Sequence, residues 1–183
     1  MSGQQLEDVL LAAQGGQPWA LRALYEELAP RVHGYLRSRG AAEPEDLTSE
    51  VFLAVFSRLN TVTGGVAGLR TLLFSVAHAR LVDDLRRRSR RGPTTTFDPA
   101  TDGRTAASSE DEALAELATA EVRAVIATLP DVQREVLLLR VVSDLSVEQV
   151  AAIVGRSTGA VKQLQRRGLL ALREAYLQRG VPP

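Results

Sequence analysis

The chain has 183 residues, a formal net charge of zero, 45% hydrophobic side chains and no cysteine. This composition excludes collagen-like, low-complexity and disulfide-framed proteins, and the missing thiols exclude zinc–thiolate and iron–sulfur sites. The longest aliphatic run, Val136–Leu139, is far shorter than the roughly 20 residues of a membrane helix. No basic and then apolar signal segment opens the chain, so we expect a cytoplasmic protein without direct membrane insertion.

Charge is segregated along the chain although its total is zero. Residues 1–66 and 98–130 are net acidic, whereas residues 67–97 carry 7 basic and 2 acidic side chains and residues 131–183 carry 8 and 5. Two basic segments separated by an acidic one indicate two contacts with polyanions, and the acidic stretches suit a basic partner. Solvated helix faces would give the same counts, so charge alone leaves both interpretations open.

Apolar residues in the N-terminal part of the chain recur every three or four positions, which is the helical period. A short helix starts near Val9 and ends at Gly15-Gly16, and a long one carries the stripe Leu21–Leu36. A third begins near Pro44 with acidic residues in its first turn. The fourth follows a loop containing Gly64-Gly65, and its apolar residues on two sides predict packing between neighbours.

The periodic pattern stops after a run of arginines at residues 86–91. Residues 92–110 are rich in Pro, Thr, Ala and Ser, which predicts a linker. Helical periodicity resumes near residue 111, and neither strand alternation nor an internal repeat is present. We therefore predict an all-α protein with two small helical domains, 1–91 and 111–183, joined by a flexible linker.

The C-terminal segment has the pattern of a helix-turn-helix. Residues 146–149 read Ser-Val-Glu-Gln, the form of a capping box at the start of a helix. Gly155 then closes this short helix, and Ser157 is placed to cap a second, longer one. A short helix, a tight turn containing glycine and a longer helix predict a helix-turn-helix in the C-terminal domain.

Basic side chains are concentrated on two helices. On the last helix, Lys162 and Arg166 share an exposed arc with Gln163 beside it, and arginine and glutamine can pair with guanine and adenine in the major groove. The arginine run 86–91 is a second candidate for phosphate contacts, which would make binding salt-dependent. Phe74 lies near that run and either stacks on unpaired bases or belongs to the core.

Enzymatic interpretations find little support in the sequence. His33 and His78 lack the spacing of metal ligands, and the members of the pair Asp83-Asp84 point in different directions on a helix. The two Gly-Gly sites lack the lysine of a phosphate-binding loop. We predict no catalytic residue, no metal, no cofactor and no small-molecule substrate.

Four segments carry a resemblance to a known family: residues 29–36, 45–53, 69–88, and 129–140 with the helix-turn-helix that follows. In this order they resemble the extracytoplasmic-function (ECF, group IV) sigma factors of bacterial RNA polymerase. The resemblance covers most of the chain outside the linker and the extreme termini. It implies a factor that binds core polymerase and directs promoter-specific initiation at minus-35 and minus-10 elements. Strand opening would draw on binding energy, without ATP.

The resemblance also implies three contact surfaces. Core polymerase, through the β′ clamp helices, is expected at Asp46, Ser49 and Glu50. The loop at residues 60–67 would receive a flipped base, and contacts to the minus-10 element are expected at Asn60, Arg70, His78, Arg80, Arg86, Arg87 and Arg88. Contacts to the minus-35 element are expected at Arg156, Ser157, Lys162, Gln163, Arg166 and Arg167.

Partners implied by the resemblance are core RNA polymerase (its β′ clamp helices and β subunit), promoter DNA and an anti-sigma factor. The protein would associate with the nucleoid when bound to polymerase. Two alternatives stay open. A helix-turn-helix transcriptional regulator that does not replace sigma would bind duplex DNA tightly without polymerase. A helical adaptor that binds only proteins would show no salt-sensitive DNA binding.

Overall fold

The computed structural model describes residues 1–91, 124 and 126–178. The predicted linker 92–110 lies outside these residues, and so does most of the helical pattern that begins near residue 111. Within them the secondary structure is helical and no strand occurs, which confirms the all-α prediction. The helices are α1 (Gly3–Gln14), α2 (Pro18–Ser38), α3 (Pro44–Phe56), a 3₁₀ turn (Leu59–Thr61), α4 (Gly65–Arg91), α5 (Asp131–Val141), α6 (Val147–Val154) and α7 (Thr158–Gln178).

Local sequence features mark where the N-terminal helices begin: a capping box at α1, and a proline in the first turn of α2 and of α3. The Ser2 hydroxyl accepts from the Gln5 backbone N–H and the Gln5 side chain returns a bond to Ser2, so α1 starts at Gly3. The apolar pattern alone placed its start near Val9. At α3, Pro44 occupies the first turn with acidic residues behind it, as the sequence predicted.

The predicted helix-turn-helix is formed by α6 and α7. Ser146 and Gln149 make the capping box at the start of α6, and Gly155 ends that helix at φ 64°, the left-handed region that favours glycine. The Ser157 hydroxyl accepts from the Ala160 backbone N–H at 3.2 Å and caps α7. Each of these features was readable from the sequence because capping involves residues only three apart.

Helix α4 lies at the centre of the molecule and packs against α1, α2, α3 and α6. This confirms the packing between neighbours that its two apolar sides predicted. Phe74 is 1% exposed and meets the Tyr35 ring edge-on, with centroids 5.7 Å apart. Phe74 therefore belongs to the core and does not present its ring to unpaired bases.

The C-terminal helices join the same core. Gly168 lets α7 approach α5 closely, because a Cβ atom there would lie 2.7 Å from Leu137 Cδ1. Val136 and Leu139 of α5 are fully buried and form one contiguous apolar cluster with the core of the N-terminal helices. None of the described helices combines the length and the apolarity that crossing a bilayer requires.

Candidate polymerase- and nucleic-acid-binding surfaces

An acidic patch, formed by Asp46, Ser49 and Glu50, lies on an exposed face of α3. The Ser49 hydroxyl donates to the Glu45 carbonyl of its own helix at 3.1 Å. Leu53, one turn further on, is 72% exposed and extends the patch with an apolar side chain. Leu53 was not among the predicted contact residues, although its position outside the buried stripe of α3 indicates an exposed apolar side chain.

The α3–α4 loop comprises residues 57–64 and contains the 3₁₀ turn. Residues 65–67, which the sequence analysis placed in this loop, form the first turn of α4 instead. Leu59 is buried in the core, whereas Asn60 is exposed. Gly64-Gly65 adopts two consecutive left-handed conformations, with φ of 78° and 62°. A Cβ atom at Gly68 would lie 1.8 Å from the Thr63 carbonyl oxygen, so the loop backbone rests directly on the first turn of α4.

Two α4 side chains that were predicted to contact DNA lie against acidic side chains of α5 and of the α5–α6 connection. The Arg70 guanidinium lies 2.9 Å from an Asp144 carboxylate oxygen. The His78 Nδ1 atom lies 2.7 Å from the Glu135 Oε1 atom. In this arrangement the side chains of Arg70 and His78 are both in contact with protein carboxylates.

The remaining α4 candidates are more open. Arg80 lies 3.8 Å from Glu50, so a predicted DNA contact faces a predicted polymerase contact. Arg88 donates to the Gly40 carbonyl at 2.6 Å and lies 4.0 Å from Asp84. Three exposed side chains of the arginine run have no ion pair among the described residues: Arg86, Arg87 and Arg90.

Glu135 occupies a buried polar cluster between α5, α2 and α4. It is 8% exposed, and it accepts a hydrogen bond from the Tyr35 hydroxyl at 3.3 Å in addition to its pairing with His78. Burial raises the pKa of a carboxyl group, but the contact with His78, aided by Arg39 and Tyr35, outweighs it and holds the pKa of Glu135 below its usual range. Burial, reinforced by Glu135, raises the pKa of Tyr35.

We use the name closed interface for the contacts that α5, α6 and the segment between them make with α2 and α4. Three more hydrogen bonds belong to this interface. Arg39 donates to the Asp131 carbonyl at 3.1 Å. The Gln149 amide donates to the Thr71 hydroxyl at 2.6 Å and to the Ala67 carbonyl at 3.0 Å. Sequence reasoning identified Gln149 only as a capping residue and missed its tertiary role, for which local patterns carry no signal.

The six predicted minus-35 residues come together on one exposed surface, the α7 basic face. Two adjoining clefts share Gln163 and Arg167 in their linings and include the other four side chains. The α7 basic face comprises Arg156, Ser157, Lys162, Gln163, Arg166 and Arg167. Among the described residues, no carboxylate oxygen lies within 4 Å of the charged nitrogen atoms of this face.

Each of the two histidines lies within hydrogen-bonding distance of a glutamate carboxylate. The His33 Nε2 atom lies 2.9 Å from the Glu45 Oε1 atom on the surface. A hydrogen bond from the backbone N–H of Glu45 itself, together with the contact with His33, holds the pKa of the Glu45 carboxyl below its usual range. The described residues contain no group of three or more His, Asp or Glu side chains arranged to hold a metal ion.

Two family profiles match the chain in separate segments. The profile described as Sigma-70 region 2 matches residues 24–91, and the one described as Sigma-70, region 4 matches residues 119–172. The first segment contains the acidic patch, the α3–α4 loop and α4, and the second contains the α7 basic face.

Relatives from bacteria align over most of the chain. The ECF RNA polymerase sigma factor SigD of Mycobacterium tuberculosis is 32% identical over 98% of this chain and 88% of its own length. The ECF RNA polymerase sigma factor BldN of Streptomyces coelicolor is 30% identical over 92% of this chain, which spans 64% of the length of BldN. The fold also resembles that of sigma factor RpoE in complex with the anti-sigma factor NepR from Bartonella quintana. That match has a TM-score of 0.64 and 19% identity, and covers 84% of this chain and 94% of RpoE.

Proposed function

The chain belongs to the ECF RNA polymerase sigma factors, and from that premise we propose how its surfaces divide the work of promoter-specific initiation. The observation that supports the proposal most is the presence of both sigma regions, in order, on one chain, with basic side chains in each. A regulator that uses only its helix-turn-helix would have no need of region 2, so that alternative is not favoured. We propose the domain division 1–91 and 111–183, with 92–110 as the linker.

The acidic patch is the proposed site for core polymerase. Asp46 and Glu50 place two carboxylates on the exposed face of α3, and the exposed Leu53 beside them provides apolar area for a helical partner. Ser49 would contribute little by its side chain, because its hydroxyl already bonds to the α3 backbone. The partner we propose is the β′ clamp helices, with the β subunit contacting the rest of the factor.

The α3–α4 loop and α4 are the proposed minus-10 surface. An exposed loop tip around Asn60 offers backbone and side-chain polar groups to a base that has left the stack. The basic side chains along α4 would hold the phosphates of the opened strand. The residues proposed for this surface are Asn60, Arg70, His78, Arg80, Arg86, Arg87 and Arg88.

The α7 basic face is the proposed minus-35 surface. Helix α7 is the second helix of a helix-turn-helix, the one that enters the major groove in such motifs. Lys162 and Arg167 would contact phosphates, and Gln163 and Arg166 have the hydrogen-bonding groups to distinguish adenine and guanine. Arg156 and Ser157 would approach the backbone at the start of the helix.

Binding to the opened strand requires a rearrangement of the closed interface. Asp144 and Glu135 pair with Arg70 and His78, and a phosphate cannot occupy the same positions. We propose that α5 and α6 leave α4 when the factor binds polymerase and promoter. The linker would let the two domains separate to reach both elements.

Sigma factors are initiation factors and not enzymes, and we propose that this chain contributes binding energy to strand opening without catalysis, ATP or a cofactor. Because transcription takes place on the chromosome, we propose that it acts in the cytoplasm, at the nucleoid. The resemblance to an RpoE structure solved with an anti-sigma factor supports a protein partner of that kind for this chain.

Run-off transcription tests the proposal. Purified bacterial core polymerase is supplied with genomic promoter fragments of the source organism, with and without the protein. We expect discrete transcripts that start only when the protein is present. Salt-sensitive duplex binding without any transcript would favour the regulator, and absence of both would favour the protein-binding adaptor.

Charge reversal tests the polymerase site separately. The variant Asp46→Lys/Glu50→Lys should lose about tenfold or more in affinity for core polymerase, because like charges would replace opposite ones across the interface. The control Asp8→Lys alters an exposed carboxylate of α1 outside the proposed surfaces. Unchanged polymerase affinity in the double variant would refute the assignment.

A further inference from the structure

We propose that Glu7 and Gln14 of α1 are positioning residues that set the geometry of the α3–α4 loop and so determine base selection at the minus-10 element. The inference rests on the proposed function, because it assumes that this loop receives a base. Helix α1 carries none of the residues proposed to contact polymerase or DNA. Its two side chains would act only through the loop they hold.

Gln14 ties the 3₁₀ turn to the end of α1. Its Nε2 atom donates to the Leu59 carbonyl at 3.1 Å and to the Val62 carbonyl at 3.0 Å, in a partly buried setting. An amide nitrogen has two hydrogens, so these two bonds use both of its donors. One side chain thereby holds two loop carbonyls three residues apart, on either side of Asn60.

Glu7 holds the other end of the loop. Its Oε1 atom accepts from the Val66 backbone N–H at 2.9 Å, in the first turn of α4. A carboxylate is stabilised at a helix N-terminus because the first N–H groups have no partner within the helix. A Cβ atom at Gly65 would lie 2.6 Å from Glu7 Oε2, so a residue with a side chain there would displace the carboxylate.

The two anchors frame an otherwise exposed loop tip. Asn60, Thr61 and Thr63 are exposed, and within the loop itself only Leu59 is fully inserted in the core. Recognition of a single base by hydrogen bonds depends on donor and acceptor positions held to about 0.5 Å. Gln14 and Glu7 both belong to α1, so the position of this helix determines where the backbone of the loop is held.

The test measures base discrimination and overall activity with the same preparations. A promoter obtained from the run-off pool is prepared with each of the four bases in turn at every minus-10 position, on a duplex and on a premelted template. Gln14→Asn shortens the amide by one methylene, and Gln14→Glu keeps its length but removes both donors. For either variant we expect the preference for the best base at the flipped position to fall about 3- to 10-fold, the range of one or two lost hydrogen bonds.

The Glu7 variants separate charge from geometry. Glu7→Ala removes the acceptor and should reduce discrimination, whereas Glu7→Gln retains an acceptor oxygen and should restore most of it. Matched controls on the same helix are Gln4→Asn and Asp8→Ala, two exposed positions. Both should keep the wild-type preference.

Core polymerase affinity, melting temperature and minus-35 preference are recorded for every variant. We expect them to stay near wild type while the minus-10 preference falls. Equal losses on all four bases, or a loss that follows melting temperature or polymerase affinity, would show merely structural support and overturn the inference. Promoter-specific initiation with unchanged preference in both Gln14 variants would also overturn it. Failure of the wild-type protein to initiate anywhere would instead refute the proposed function.

Discussion

The basic groups of α4 and those of α7 are chemically alike but differ in what they contact. Arg70 and His78 on α4 pair with Asp144 and Glu135, whereas the α7 basic face lies open and has no ion pair within the described residues. Charged groups on the α7 basic face therefore have no carboxylate partner in the described chain, whereas on α4 Arg70 and His78 lie against protein carboxylates and only Arg86 and Arg87 among the predicted contacts do not. If the proposed surfaces are right, the described arrangement leaves the minus-35 surface open and part of the minus-10 surface covered.

Burial explains why the α4 pairing is more than a surface contact. Glu135 is nine-tenths buried, and the His78 side chain is 22% exposed, so both have lost much of their contact with water. A charge in such a place is stabilised only by its partners, and removing one of them leaves the other uncompensated. Arg70 and Asp144 differ, because Asp144 remains 73% exposed and such pairs contribute little.

The largest effect is expected from Glu135→Ala, which removes the central carboxylate of the closed interface. The free energy of unfolding should fall by about 3 kcal/mol, since the variant loses a buried carboxylate together with its contacts to His78 and to the Tyr35 hydroxyl. Urea titration followed by circular dichroism measures it. The control Glu174→Ala, at an exposed position of α7, should change stability by less than about 0.5 kcal/mol. Equal stability of the two variants would mean that the contact of Glu135 with α4 contributes no more to the free energy of unfolding than an exposed side chain does.

The next effect concerns the open face. Arg166→Ala should cost about 1–3 kcal/mol at one promoter position if Arg166 reads a base. Binding to a set of duplexes with single substitutions in the minus-35 element measures this. A loss that is equal for every duplex, with a salt slope smaller by about 1, would identify a phosphate contact instead.

Acidification should weaken the α4 pairing and leave the α7 basic face charged. The pKa of Glu135 lies below its usual range, so its stabilisation is present above the unfolded carboxyl pKa of about 4.3 and is lost as pH falls through the folded value. The groups that face it are His78, Tyr35 and Arg39.

Unfolding free energies from pH 6 to pH 3 should therefore decrease more steeply for the wild type than for Glu135→Gln. Glu45 and Glu148 also have lowered pKa values, so both proteins should share part of the slope. Parallel curves for the two proteins would contradict a stabilising ionised Glu135.

The smallest effect is expected from Asp144→Asn. Asp144 has φ 53°, a left-handed conformation that asparagine also tolerates, so the substitution removes charge with little backbone strain. Because Arg70 would lose its carboxylate partner, the affinity for a single-stranded minus-10 oligonucleotide should rise about 2- to 5-fold. This is the change that corresponds to the free energy of an exposed ion pair. Fluorescence anisotropy measures it against Asp83→Asn, an exposed α4 position without an ion pair in the described chain. An equal change in both variants would reflect net charge alone.

Much of the candidate surface was predictable from sequence. The six residues of the α7 basic face were assigned from the family resemblance, with a helical wheel supporting three of them, and the structure brings all six onto one surface. The exposure of Leu53 was available from its place outside the apolar stripe. The contact of α4 with α5 was not predictable. In the sequence, Glu135 resembles any polar residue on an amphipathic helix until its neighbours are known.

Local sequence by itself determined the helices, their caps and the faces they expose. Capping and helical periodicity involve residues at most four positions apart, so patterns such as Ser146 to Gln149 are complete within the sequence. Only the tertiary structure decided which faces meet. Arg70 and Asp144 are 74 positions apart, and Gln14 and Val62 are 48 apart. Contacts at such separations depend on how whole helices pack, and no short-range pattern records that choice.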